Sequence, residues 1–152
     1  MLAGSGSTDY LQAGWGRRYY QTSNYHFFEW SSSEGYGWGY ASTASTGTHS
    51  YEINKSGSNW YVYVNGNNVS TISTLDIPWT AVEAQFFGET YNTSDQNPGS
   101  VSDPITMGYL KVKNSSGVWS NASLTYTHNS LSTQSNNADV GDTTFEQWDT
   151  RY

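Results

Sequence analysis

No cysteine occurs in the 152 residues, so disulfides and thiolate metal sites are excluded. Basic residues are almost as scarce: 6 Lys and Arg face 13 Asp and Glu, for a formal net charge of −7. Neutralising a phosphate backbone needs clustered Lys and Arg. The chain offers only Arg17-Arg18 and the pair Lys111 and Lys113, so no nucleic-acid partner is expected. Long apolar runs are missing too, so no membrane span is expected. Met1-Leu2-Ala3-Gly4 lacks the charged and apolar regions of a signal peptide. Leu, Ile, Val and Phe number only 23, a content that by itself would suggest disorder.

What the chain has instead is aromatic rings. Seven Trp, 13 Tyr and 5 Phe overturn the disordered reading, because each ring buries more area than an aliphatic side chain. Tyr, Trp and Thr favour strands and no segment sustains a helical period, so the predicted class is all-β. Strands are expected at about 9–20, 24–32, 48–55, 59–65, 68–75, 82–91, 104–113, 117–127 and 143–150. Asn65-Gly66, after the alternating run Trp60-Tyr61-Val62-Tyr63-Val64, marks a tight hairpin. Ser56-Gly57-Ser58 and Ser115-Ser116-Gly117 are further turn clusters. Residues 35–40, alternating Gly with Tyr and Trp, read as a loop with exposed rings, and residues 92–104 as the longest irregular stretch. Many short strands in one domain spanning 1–152 point to a two-sheet sandwich of jelly-roll type. Low charge, 40 Ser and Thr and ring-rich faces suggest a secreted or cell-surface protein. Asn54, Asn68, Asn92, Asn114 and Asn121 begin N-x-S/T sequons and are candidate glycosylation sites.

Period-two alternation singles out three polar side chains. In Tyr10-Leu11-Gln12-Ala13-Gly14-Trp15, Leu11, Ala13 and Trp15 share one face, and Tyr10 and Gln12 the other. In Tyr25-His26-Phe27-Phe28-Glu29-Trp30, Phe28 and Trp30 oppose Tyr25, Phe27 and Glu29. In Ala84-Gln85-Phe86-Phe87-Gly88-Glu89, Gln85, Phe87, Glu89 and Tyr91 share a face. A buried amide or carboxylate is costly without partners, so Gln12, Glu29 and Glu89 are candidates for a cleft. Other constellations are weaker. Asp139, Asp142 and Glu146 match no standard calcium loop, and His26, His49 and His128 are far apart in sequence, so no metal is expected. No Gly-x-Ser-x-Gly elbow is present. Trp38 and Tyr40 could stack on sugar rings or simply pack at a sandwich end.

Taken together, the Leu11-Gln12-Ala13-Gly14 strand, Phe28-Glu29-Trp30 seventeen residues after Gln12, and the apolar segment ending in Glu89 resemble the glutamic peptidases of the eqolisin family. The match covers roughly residues 9–91. The resemblance implies a concanavalin-like β-sandwich and a secreted, acid-active endopeptidase with Gln12 and Glu89 as catalytic residues. Glu29, Trp30, Phe87 and Tyr91 would support them. On that reading Glu89 activates a water, the Gln12 amide stabilises the oxyanion, and no cofactor is needed. Glutamate ordinarily titrates near about pH 4.3, which suits work in acid.

The family domain has several strands before its glutamine and commonly carries disulfides. Here eleven residues precede Gln12 and there is no cysteine. The expectation that follows is a sandwich completed by strands from another chain, a piece of a processed precursor, or a remodelled domain. The expected partner is a polypeptide substrate or a strand-supplying neighbouring subunit; a glycan is the third candidate. The rival functions are therefore a non-catalytic assembly subunit and a carbohydrate-binding module.

Overall fold

The computed structural model describes residues 1–90, 92 and 94–152. Thirteen strands and no helix occur among the described residues, so the all-β class holds. Every pairing between named strands is antiparallel. The chain forms two compact units, Met1–Gln85 and Phe86–Tyr152.

The first unit holds two sheets. One has the order β4-β3-β2-β1-β8, from β1 (Leu2–Ala3), β2 (Tyr10–Gly16), β3 (Tyr25–Ser32), β4 (Gly35–Thr43) and β8 (Glu83–Ala84). The other has the order β5-β6-β7, from β5 (Tyr51–Ser56), β6 (Asn59–Val64) and β7 (Asn67–Ser73). Tight turns set the register of the second sheet. Asn65 and Gly66 adopt φ of 51° and 77°, the left-handed pair that a two-residue hairpin requires between β6 and β7. Gly57, at φ 56°, turns β5 into β6. Leu11 of β2, Trp60 and Val62 of β6, Ile72 of β7, and Ile77 and Trp79 beyond it form one buried cluster. Phe28 and Trp30 of β3 pack against it, so the two sheets face each other across a ring-rich core. Trp60 and Trp79 donate their indole N–H groups to the carbonyls of Ile77 and Ser31, at 3.2 and 3.3 Å, so neither ring is buried unsatisfied.

The second unit contains β9 (Ile105–Met107), β10 (Lys111–Lys113), β11 (Trp119–Asn121), β12 (Gln134–Asn136) and β13 (Phe145–Asp149). They form a three-stranded sheet β12-β13-β9 and the hairpin β10-β11. Its apolar core is small, with Leu110 and Phe145 buried. A polar staple adds to it. Asp149, with no exposed surface, accepts from the backbone N–H groups of Asn97 and Arg151 at 2.9 Å each and pairs with the Arg151 guanidinium at 2.7 Å. The Arg151 bonds hold the Asp149 carboxyl well below the usual carboxylate range.

Four expectations are corrected. Residues 35–40 are not a loop but most of β4. Their inward glycines leave room for rings: a Cβ on Gly37 would lie 2.4 Å from Trp30 Nε1, and one on Gly39 2.7 Å from Phe28 Cζ. Nor do residues 82–91 form one long strand, since regular pairing ends at Ala84. Beyond it, side chains of β12 and β13 engage the backbone in place of a ladder. Gln134 Nε2 donates to the Gly88 carbonyl at 3.0 Å, and the Gln147 amide lies against the Gly88 Cα. The expected strand at 104–113 is likewise split around Tyr109, whose φ is 57°, and the one at 117–127 is confined to Trp119–Asn121.

Candidate functional site

Strand pairing arranges the face of β2, β3 and β4 that points away from the core into rows. Tyr10, Ser31 and Tyr36 make the first, and Gln12, Glu29 and Trp38 the second. Gly14, Phe27 and Tyr40 make the third. Directly opposed residues in an antiparallel pair share a face, so the alternation that placed Leu11 in the core also places Gln12 beside Glu29.

Glu29 is the hub of this face. Its Oε1 accepts from the hydroxyls of Tyr10 and Tyr36 at 2.9 and 2.8 Å, and its Oε2 accepts from Gln12 Nε2 at 3.1 Å. Three donors from the two flanking strands, β2 and β4, converge on one carboxylate. The Tyr36 phenol is pushed up, first by its bond to Glu29. An amide nitrogen carries two hydrogens, so the bond to Glu29 fixes the Gln12 side chain and leaves a second N–H for a ligand. Around this hub the rings are exposed: Tyr36, Trp38 and Tyr40 at 54%, 46% and 37%. Trp38 and Tyr40 meet edge to face at 5.3 Å, Tyr25 lies 5.0 Å from Tyr40, and the Arg18 guanidinium sits 4.6 Å over Trp38.

Trp30 is on the opposite face, packed against the core. Phe87 and Glu89 are exposed residues of the second unit, outside any strand. Tyr91 lies outside the described residues. Asn68, Asn92, Asn114 and Asn121 are exposed and Asn54 is half-buried in β5. Asp139 and Asp142 close a turn on each other, the Asp139 N–H donating to Asp142 Oδ2 at 2.8 Å. Among the described residues no three of His, Cys, Asp or Glu gather as metal ligands. His26 and His49, 23 residues apart, nevertheless meet with ring centroids 4.5 Å apart. Burial pushes the Tyr51 phenol up, and its hydroxyl shares a 2.7 Å hydrogen bond with His26 Nδ1. His49 donates from Nε2 to the Ser45 carbonyl at 2.8 Å and accepts at Nδ1 from Asn65 at 3.2 Å, leaving neither nitrogen free for a metal.

Sequence reasoning missed Tyr36 and Tyr10 as partners of Glu29. The signal for Tyr36 was present as Gly35-Tyr36-Gly37-Trp38-Gly39-Tyr40, a period-two ring pattern obscured by glycines that usually end strands. No family model, no curated protein and no solved structure matches the chain.

Proposed function

We propose that the chain is a secreted or cell-surface, acid-active endopeptidase of the glutamic type, built on a concanavalin-like jelly roll. The observation that carries this reading is the 3.1 Å bond from Gln12 Nε2 to Glu29, which orients an amide on an accessible sheet face. Preorganised donors of this kind stabilise the oxyanion of an acyl-transfer transition state. Glu89, as carboxylate, takes a proton from water, and the water oxygen adds to the peptide carbonyl carbon. The carbonyl oxygen gains the negative charge and the second Gln12 N–H receives it. As the C–N bond breaks, protonated Glu89 returns its proton to the leaving amine. Glu29 is a positioning residue here, since it holds Gln12 and is itself held by Tyr10 and Tyr36.

The test is cleavage of an unfolded protein substrate between about pH 2 and 5 by the native chain, Glu89→Gln and Gln12→Ala. Loss of cleavage in both folded variants is the expected result. A well-folded native chain that cleaves nothing overturns the reading.

A second reading, a non-catalytic assembly subunit, is favoured by one observation. Among the described residues β2 pairs with β1 only at Tyr10 and Leu11, so residues 12–16 have a strand on one side alone. An open edge of that kind accepts a strand from a neighbour, and sedimentation would then show association that grows with concentration.

A further inference from the structure

The outer face of β2, β3 and β4 offers a ligand rings and hydrogen-bonding groups, and no Leu, Ile, Val or Met. Three large rings stand exposed on one strand, at 54%, 46% and 37% for Tyr36, Trp38 and Tyr40. Exposed apolar surface in one contiguous patch marks a binding site more often than scattered rings do.

We propose that this face binds carbohydrate, with neutral sugar rings stacked along Tyr36, Trp38 and Tyr40 and their hydroxyls held by Glu29, Gln12 and Arg18. A pyranose presents one face of C–H groups, which carry slight positive charge and seat on the negative face of an aromatic ring. Its edge presents hydroxyls, each both donor and acceptor. Glu29 supplies acceptors, Gln12 a donor and an acceptor, and Arg18 donors in a planar fork. Glu29 and Gln12 are already tied to each other and to the neighbouring tyrosines, so little side-chain freedom is lost when a ligand arrives. The Phe27 ring covers the two glycines of β2, within 3.5 Å of where a Cβ of Gly14 would lie and 3.7 Å for Gly16. The net charge of −7 favours neutral glycans over acidic ones. The inference stands on this face alone and does not rest on the peptidase reading.

The experiment is affinity electrophoresis of the full chain through gels containing soluble β-glucan, xylan or mannan, with pull-down on insoluble cellulose and chitin. Retardation or retention by at least one of these is expected. Trp38→Ala should weaken it about tenfold, the size of one good stacking contact, and Tyr40→Ala less. Trp119→Ala, which removes an exposed ring of the second unit, should leave it unchanged. Tyr36→Phe keeps the ring and loses the bond to Glu29, so it separates stacking from hydroxyl positioning. Trp38 is exposed, and near-ultraviolet circular dichroism will verify that its variant is folded. Absence of binding to every polysaccharide overturns the proposal, as does binding that Trp38→Ala leaves intact. Retardation by gelatin or denatured casein alone overturns it in favour of a polypeptide ligand.

Discussion

His26 is 2% exposed, and burial together with the nearby His49 pushes its pKa below the ordinary histidine value. Its unfolded form therefore takes up a proton at a higher pH than its folded form. The sign follows: stability is intact above about pH 6.5 and falls as the pH drops through that value toward the folded pKa. Melting temperature is expected to decline between about pH 7 and pH 5, and His26→Gln, which keeps a neutral hydrogen-bonding partner for Tyr51, should flatten that decline. A slope unchanged in the variant would assign the titration elsewhere. Gln12 and Glu29 were legible as residues because alternation alone put both on one face. Their contact also needed a register, Gln12 opposite Glu29, that no local pattern encodes. His26 and His49 show the same limit, since separation along the chain said nothing of the 4.5 Å between their rings.

Among the elements, β4 is the most instructive. Glycine weakens a strand on local grounds, so its recurrence at 35, 37 and 39 predicts a loop. Packing reverses that preference, since Trp30 and Phe28 occupy the space where side chains at 37 and 39 would stand. Gly37→Ala forces its Cβ to 2.4 Å from the Trp30 indole, a ring fixed against the core. The variant should lose roughly 1–3 kcal/mol of stability, measured by denaturant unfolding. Gly47→Ala, where a Cβ meets nothing within 4 Å, tests backbone strain without that clash. The hairpin at Asn65-Gly66 was legible because its turn chemistry is local. The segment through Glu89 was not, because the bond that holds its backbone comes from Gln134, more than forty residues away.

At the scale of the molecule, composition alone decided the class: rings in place of aliphatics, no helical period, turn residues throughout. It could not show that burial is uneven. Leu11, Trp60, Val62, Val64, Ile72, Ile77 and Trp79 all belong to the first unit, while the second buries Leu110 and Phe145. Amide hydrogen exchange should therefore be slowest in β6, the central strand of its sheet, and fast throughout the hairpin β10-β11, whose strand residues are all exposed. Uniform protection across both units would contradict this ordering.

The two faces of β4 set unequal tolerances along one strand. Positions 37 and 39 are closed to anything larger than glycine, while 36, 38 and 40 project outward and contribute nothing to the core. Change at the outer three positions is thus decoupled from folding. Whatever this face holds, drift or deliberate randomisation can rewrite its preference at three alternating codons while the interior stays untouched.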